Sequence, residues 1–257
     1  MHEHKKISLF GLQIDALSMQ QSVELIAGWL LSVERKNQYV VTPNVDHIVN
    51  LENNAPFQAA YANASLVVAD GKPVVLASKL LGKALPGTVP GSDLVPKIFD
   101  HFEFGISKPL SIFLLGAMPG VAEKAKAKIE AKWPRVNVIG LYSPEFGFDK
   151  SIDKSKKIAE MVAATNADMV VFGVGAPKQE LWSHQYGHLC NTKAILCVGA
   201  TIDFLAGEKA RAPVWVQKIG MEWCHRMLTE PKRLVKRYAI GALIFPQLFY
   251  RAWKTGK

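Results

Sequence analysis

Six short apolar runs, rich in β-branched residues, recur between residues 38 and 200, and most of them end at Gly, Asn or Asp. The runs are QYVVTPN, SLVVADG, LSIFLLG, VNVIGLY, ADMVVFGVG and KAILCVGA. Helical patterns accompany them at residues 18–33, 45–64, 71–81, 121–133, 151–165 and 176–190. Strands that are apolar throughout and alternate with helices are typical of parallel sheets. The sequence therefore predicts a Rossmann-like α/β fold with a mostly parallel sheet and helices on both faces.

The net charge is confined to the last part of the chain. Residues 209–257 contain 11 Lys or Arg and 2 acidic residues, whereas residues 1–208 contain 20 of each sign, so the tail carries the whole net charge of +9. A basic segment of this kind favours a polyanionic surface as its partner. We expect a catalytic body at residues 1–205 and a basic helical appendage at residues 206–257, and 257 residues suffice for both.

The appendage combines a basic stripe with a short apolar segment. Arg233 and Arg237 follow Arg226 at spacings of 7 and 11, so a helix would present all three on one face, with Lys236 beside them. The run YAIGALIFPQLFY is shorter than the roughly 20 residues that span a bilayer. These features predict a helix that lies in the interface of an anionic membrane. A nucleic-acid patch and a packing or oligomerising helix remain alternatives.

The cysteines and the N-terminal residues indicate the compartment. Cys190, Cys197 and Cys224 form no C-x-x-C pair, and an odd number of cysteines is typical of buried thiols in a reducing environment. The N-terminal apolar stretch is interrupted by Gln13 and Asp15, and no small-residue cleavage site follows it. We expect a cytoplasmic protein that is peripheral on the inner face of the cell membrane.

Polar residues follow several of the predicted strands. Thr42 and Asn44 come after YVV, and Asp70 comes after LVVA and immediately before Gly71. In parallel sheets the ligand site lies beyond the carboxyl ends of the strands. Asp70 is therefore a candidate general base, although an Asp-Gly turn or a helix N-cap explains the same pair structurally.

Two glycine-containing loops precede predicted helices. In LLGAMPGVAEKAKAKIE, Gly116 and Gly120 would let a nucleotide phosphate approach a helix N-terminus, but the pattern is neither a dinucleotide fingerprint nor a P-loop and is equally consistent with a plain turn. In FGVGAPKQELW, Lys178 is a candidate phosphate contact, and Gln179 is a candidate hydrogen-bonding group for a sugar or a diphosphate. A solvated first helical turn is the alternative for this second loop.

Metal and cofactor signals are weak. His184 and His188 are four residues apart on a predicted helix, but no carboxylate follows them at metal-ligand spacing, and the chain contains no Asp-x-Asp. A G-x-G-x-x-G turn with an acidic residue about 20 positions further on is also missing, which argues against a nicotinamide-dependent oxidoreductase. The sequence predicts no metal site and no cofactor.

Five segments cover nearly the whole chain in order: TPNVDHIVNLENNAPFQAAYANASLVVADGKPVVLASKLLG, PGSDL, LLGAMPGVAEKA, GVGAPKQELW and VGATIDFLAGEKARAPVWVQKIGMEWCHRMLTEPKRLVKRY. In these segments the sequence resembles the WecG/TagA/CpsF family of bacterial glycosyltransferases. The resemblance implies inverting, metal-independent transfer from a UDP-sugar to a polyprenyl-diphosphate-linked sugar, as in cell-surface polysaccharide synthesis. The implied donor is of the N-acetylmannosamine, N-acetylmannosaminuronic acid or glucose type. The resemblance also implies a C-terminal membrane-targeting appendage. Some members of the family are oligomeric, so a homo-oligomer is left open.

The resemblance assigns roles to individual residues. It implies that Asp70 is the catalytic base and that Thr42, Asn44 and Gln179 contact the substrates. Basic side chains of the appendage would close over the site and neutralise the diphosphate; they are Arg226, Arg233 and Arg237, with Lys236 as a further partner. The sequence departs from the family at Thr88, where an arginine is usual shortly before the Gly-Ser-Asp motif. A non-catalytic membrane-surface or nucleic-acid-binding module remains the alternative, although we expect no nucleic-acid partner.

Overall fold

The computed structural model describes residues 4–213, 216 and 221–255, without the side chains of Arg226 and Arg233. The chain begins with an antiparallel hairpin of β1 (Lys6–Leu9) and β2 (Leu12–Asp15). The remaining strands are β3 (Gln38–Val41), β4 (Leu66–Val67), β5 (Leu110–Gly116), β6 (Val136–Tyr142), β7 (Met169–Gly173) and β8 (Ala194–Cys197). They form one sheet in the order β4-β3-β8-β7-β5-β6, and every neighbouring pair is parallel. The six predicted strands and the Rossmann-like class are confirmed.

Helices cover both faces of this sheet. On one face lie α1 (Met19–Leu31), α5 (Gly91–Gly105), α6 (Val121–Lys132) and α9 (Thr201–Ala206). On the other lie α2 (Val45–Leu51), α3 (Ala55–Ala62), α4 (Lys72–Leu80), α7 (Ile152–Thr165) and α8 (Lys178–Tyr186), together with the hairpin. Each layer has its own apolar core, because the strand residues are buried on both sides of the sheet.

Three elements differ from the sequence-based expectation. The helical pattern at residues 45–64 is two helices, because Asn54 accepts a hydrogen bond from the Phe57 amide at 3.1 Å and starts α3. The N-terminal hairpin was not predicted; buried Asp15 ties it to the sheet by accepting a 2.7 Å hydrogen bond from the Val67 amide. Helix α5, which includes the Gly-Ser-Asp motif, was also not predicted.

The appendage contains α10 (Glu222–Thr229) and α11 (Pro231–Thr255). Helix α11 continues through Pro246 and packs on the body with one face. Leu248 and Ala252 are buried, and the ring of Phe245 lies 5.2 Å from that of Phe10 in the hairpin. The packing of this face explains why the apolar run is helical despite its proline, since buried area outweighs one missing backbone hydrogen bond.

Two ion pairs also join α11 to the body. Arg237 contacts Asp46 of α2 at 2.5 Å, and Arg251 contacts Glu52 at 2.7 Å. Among the described helices, none is both long and apolar enough to cross a membrane.

Close backbone packing joins the carboxyl ends of β5, β7 and β8. Gly116 has φ = +122°, and a Cβ atom there would lie 2.4 Å from the Gly173 carbonyl oxygen. A Cβ atom on Gly173 would lie 2.4 Å from the Gly199 carbonyl oxygen. Neither position can accept a side chain without moving a neighbouring backbone.

We predict that Gly116→Ala lowers the free energy of unfolding by at least about 2 kcal/mol, because it combines a disfavoured φ with a clash against backbone. Chemical denaturation measures this loss. The matched control is Gly28→Ala at an exposed position of α1. A Cβ atom there has nothing within 4 Å, and helix propensity favours Ala by about 1 kcal/mol. Equal stability of the two variants would contradict the close packing at the sheet edge.

Candidate functional site

The carboxyl edge of the sheet brings most of the predicted site residues to one side of the protein. Because β3 lies between β4 and β8, the segments that follow these strands are neighbours. The Asp70 amide donates a 2.8 Å hydrogen bond to the Pro43 carbonyl, between Thr42 and Asn44. The Val89 amide, just after Thr88, donates to the Ala69 carbonyl at 2.7 Å. Asp70 is therefore fixed from two sides through its own backbone and that of Ala69.

The side chain of Asp70 does not cap the helix that follows it. Gly71, with φ = +94°, is the N-cap of α4, and no side-chain capping bond is formed there. Asp70 is half-buried, and its negative charge acts on Tyr61 and on Arg211. Burial raises the pKa of the Tyr61 hydroxyl well above its ordinary value, and Asp70 is among the negatively charged groups that raise it further. The helix-cap explanation of the Asp-Gly pair is therefore wrong, and the carboxylate lies at the edge of the sheet.

Thr42 and Asn44 follow β3 and differ in their surroundings. Thr42 is 5% exposed, so its hydroxyl lies at the floor of the edge rather than on the surface. Asn44 caps α2, where its side-chain oxygen accepts hydrogen bonds from the amides of Asp46 and His47 at 3.0 and 3.2 Å. The helix therefore fixes the orientation of the Asn44 amide.

Gln179 faces inward. Its side-chain oxygen accepts hydrogen bonds from the amides of Gly175 and Gly199, both at 3.2 Å, and its side-chain nitrogen donates to Glu180 at 2.9 Å. The residue is 2% exposed. In this state Gln179 joins the loops after β7 and β8, so its predicted contact with the sugars stays a prediction.

Lys178 begins α8 at the same edge. Its Nζ atom lies 4.3 Å from the centroid of the Phe146 ring, which is almost fully exposed. Lys178 also lines a groove of about 450 Å³ between α3 and α8, with Pro56 and His184 among its walls. Lys178 is half-buried beside this groove, and its predicted contact with a phosphate stays a prediction.

The glycine loop after β5 leads directly into α6. Gly120, with φ = +85°, is the N-cap of this helix of 12 residues, and no side chain caps it. The Ala117 amide is used by the Gly173 carbonyl at 3.1 Å. The first-turn amides of α6 carry the positive end of the helix dipole, which is the property expected of a phosphate site.

The appendage brings cations to the body. Arg237 pairs with Asp46, and it lines a groove of about 260 Å³ together with Lys236. The side chains of Arg226 and Arg233 lie outside the described atoms, so their predicted roles stay predictions. Arg211, which sequence reasoning missed, forms ion pairs with Asp93 of the Gly-Ser-Asp motif and with Glu222.

The electrostatics of Arg211 connect it to the candidate base. Burial lowers the pKa of its guanidinium, but the hydrogen bond and charge of Asp93, and then the charges of Glu222 and Asp70, raise this pKa overall. Arg211 lies outside the basic stripe of the appendage, so the sequence gave no signal for it. A contact with Asp93, more than 100 residues away, needed the folded chain.

Buried titratable groups lie behind the edge, and sequence reasoning missed them as well. Glu180 is fully buried, and burial raises the pKa of its carboxyl to about 7. His47 is 5% exposed; burial and, to a smaller extent, the charge of Arg237 lower the pKa of its imidazole to about 3. The His47 Nδ1 atom lies 2.6 Å from the Tyr61 hydroxyl. A neutral imidazole and a carboxyl that titrates near neutrality therefore lie beneath the candidate site.

The structure offers few arrangements for a metal ion. Within the described residues, His, Cys, Asp and Glu side chains form no group of three or more that could hold one. His184 instead has its Nδ1 atom 3.4 Å from the Tyr39 hydroxyl, and His188 lies in a separate 3₁₀ turn at Gly187–Leu189.

The fold and this edge define an α/β protein with its ligand site at the carboxyl ends of parallel strands. The chain belongs to the glycosyl transferase WecG/TagA/CpsF family, whose model matches residues 7–257. It is thus a glycosyltransferase, and the resemblance seen in the sequence is confirmed.

Two curated relatives illustrate the similarity. Both are named N-acetylglucosaminyldiphosphoundecaprenol N-acetyl-beta-D-mannosaminyltransferase. The protein from Bacillus spizizenii is 29% identical over 200 residues, which cover 78% of this chain and 74% of the relative. The protein from Staphylococcus aureus is 27% identical over 240 residues, which cover 93% of this chain and 91% of the relative.

We predict that Glu180→Gln changes the pH dependence of stability. The folded-state pKa of about 7 lies above the ordinary value of 4.5, so Glu180 reduces stability progressively as pH rises between these values. The slope is at most about 1.4 kcal/mol per pH unit. The free energy of unfolding of the variant minus that of the wild type should therefore be larger at pH 8 than at pH 5.5, as measured by urea denaturation.

Comparison with the wild type is necessary because His47 acts in the opposite direction. Its depressed folded-state pKa removes stability as pH falls below about 6.5 in both proteins. The exposed Glu160→Gln on α7 is the matched control and should show no such trend. A stability difference for Glu180→Gln that is the same at both pH values would contradict the raised pKa.

Proposed function

We propose that this glycosyltransferase moves a sugar from a UDP-sugar to a polyprenyl-diphosphate-linked sugar in cell-surface polysaccharide synthesis. The acceptor is supported by the names of the relatives, which act on N-acetylglucosaminyldiphosphoundecaprenol. The donor is of the N-acetylmannosamine, N-acetylmannosaminuronic acid or glucose type. The observation that carries the proposal is the half-buried Asp70 carboxylate at the carboxyl edge, which does not cap the adjoining helix.

In the proposed mechanism Asp70 is the general base. It accepts the proton of the acceptor hydroxyl while that oxygen forms a bond to the anomeric carbon of the donor. The bond from the anomeric carbon to the diphosphate breaks on the opposite side, and UDP leaves with the electron pair. A single displacement of this kind inverts the anomeric configuration and needs one base and no covalent intermediate.

The charge on the departing diphosphate needs stabilisation, which we assign to groups of the protein rather than to a metal ion. One such group is the uncapped N-terminus of α6 after Gly116 and Gly120, where the positive end of the helix dipole would stabilise the negative charge. Lys178 is a second such group, because it lies at the start of α8 on the same edge. Arg237 would contribute from the appendage, together with Arg226 and Arg233. Thr42, Asn44 and Gln179 would orient the sugars.

The appendage, residues 206–257, is proposed to hold the protein on the inner face of the membrane. The face of α11 that points away from the body exposes Leu243, Tyr250 and Trp253, with exposed fractions of 71%, 59% and 65%. Lys236 and Lys254 lie on the same face of the helix, since they are 7 residues before and 11 residues after Leu243. An apolar face with aromatic and basic residues is suited to an anionic lipid interface.

We predict that Asp70→Asn lowers turnover by about 10²- to 10⁴-fold, because it removes the proton acceptor while preserving side-chain shape. The assay is UDP release by the purified protein from a panel of UDP-sugars, with and without a lipid-diphosphate-linked GlcNAc acceptor, in the presence of EDTA. The wild type should release UDP with one donor type, and only when the acceptor is present.

The control for this variant is Asp153→Asn on the exposed first turn of α7, which should leave turnover unchanged. Unchanged turnover in Asp70→Asn would show that another group is the base. Release that requires an added divalent cation would refute the metal-independent mechanism, and a wild type inactive with all donors and lipid-linked acceptors would favour a non-catalytic binding module.

We predict that replacing Leu243, Tyr250 and Trp253 together with Ser abolishes co-sedimentation with anionic vesicles. The buried face of α11 is untouched by these changes, so the fold should be retained. Vesicle sedimentation over a salt series measures the effect, with duplex DNA as the competing polyanion.

The matched control replaces three exposed apolar residues of the body, Val33, Phe104 and Ile152, with Ser. It should sediment like the wild type. If both triple variants sediment normally, or if the wild type binds DNA and not vesicles, the membrane role of α11 is wrong.

A further inference from the structure

Glu180 is a buried carboxyl with an unusual set of partners. It is 0% exposed, and its Oε1 atom accepts the hydrogen bond from the Gln179 side chain. Its Oε2 atom is buried and has no hydrogen-bond partner among the described residues. A buried polar atom without a partner costs stability, so a side chain of this type is unfavourable for packing alone.

The partners of Gln179 leave only one orientation for its amide. Two backbone N–H groups, of Gly175 and Gly199, point at one end of the amide, so the oxygen must occupy that end. The nitrogen then faces Glu180 and needs an acceptor, which Oε1 supplies. A flipped amide would oppose donors to donors and lose all three hydrogen bonds. Glu180 thus accepts the hydrogen bond from the amide that joins the loops after β7 and β8.

The surroundings of Glu180 extend to the appendage. The charge of Arg237 on α11 favours the ionised carboxyl, and that of Asp46 on α2 disfavours it. The other titratable groups that face this region are Tyr61 on α3, Cys197 on β8, His47 on α2 and Asp70 after β4. Charged and titratable groups of α2, α3, α11, β8 and the segment after β4 therefore act on the region around Glu180.

We propose that Glu180 is a positioning residue for the transfer reaction: it holds the Gln179 amide that joins the β7 and β8 loops. An ionised acceptor forms a stronger hydrogen bond than a neutral one. The catalytic part of this inference rests on the proposed function, whereas the structural part does not.

The structural part is tested by hydrogen exchange of the Gly175 and Gly199 amides in the full-length chain. Glu180→Leu removes the acceptor, and both amides should exchange at least about 10-fold faster than in the wild type. Glu180→Gln keeps a carbonyl acceptor and should restore most of the protection. Amides in the centre of β5, such as that of Leu114, report global stability and should change less than those of the two glycines.

The catalytic part is tested with the UDP-release assay. Glu180→Leu should lower kcat/KM for the donor by about 10- to 100-fold, because loop misplacement of about 1 Å has effects of this size. In a Gln179→Leu background the same change should have no further effect, since Glu180 acts through Gln179. Across pH 5.5–8.5, wild-type kcat/KM should rise through the region near pH 7, and this rise should be missing in Glu180→Gln. Glu160→Gln is the control and should keep the wild-type profile.

Wild-type exchange of both glycine amides in Glu180→Leu would overturn the proposal, whether or not the protein proves to be active. Additive losses in the double variant, or a pH profile of Glu180→Gln identical to that of the wild type, would overturn its catalytic part. If the wild type releases no UDP with any donor, the proposed function fails, and hydrogen exchange still decides the role of Glu180.

Discussion

Direct backbone contact between the ends of β5, β7 and β8 is the constraint on which the site depends. Gly116, Gly173 and Gly199 lie at successive strand ends, where the carbonyl groups of Gly173 and Gly199 occupy the space that side chains on Gly116 and Gly173 would need. Because the strand ends are so close, a single amide, that of Gln179, reaches the backbone after both β7 and β8. The neighbouring edge, where Thr42 and Asp70 lie, is joined to this group by the pairing of β3 with β8. The Gln179 hydrogen bonds and the pairing of β3 with β8 therefore join the strand ends along this edge.

The long helix of the appendage, α11, has one buried apolar face and a second apolar face that is exposed. One packs on the hairpin and α2 through Phe245, Leu248 and Ala252, and the ion pair of Arg237 with Asp46 lies beside it. The other is exposed, and Leu243 is central to it. A helix bound in this way presents its outer face in a fixed orientation relative to the carboxyl edge.

Buried ionisable groups between these two regions reduce stability and restrict the chemistry of the edge. Burial favours the neutral form of both groups: it raises the pKa of the Glu180 carboxyl to about 7 and lowers the pKa of the His47 imidazole to about 3. Their pH effects are opposite: His47 removes stability as pH falls below about 6.5, and Glu180 removes stability as pH rises from about 4.5 to about 7, so the two effects offset each other where these ranges overlap. Proteins retain such groups where a defined hydrogen-bond pattern is needed, and here that pattern orients Gln179.

The sequence by itself determined the six parallel strands, their helices and the position of Asp70 at a strand end, because apolar periodicity and strand-end residues are local properties. It also determined the family, since the matching segments run through the chain in order. Only the tertiary structure decided that Gln179 faces inward, that Arg211 meets Asp93 and that Glu180 is buried. It also decided that α11 docks on a hairpin that local patterns did not predict. These features depend on contacts between residues far apart in the chain, and hydrogen-bond partners and burial at such contacts are fixed only when the layers pack against each other.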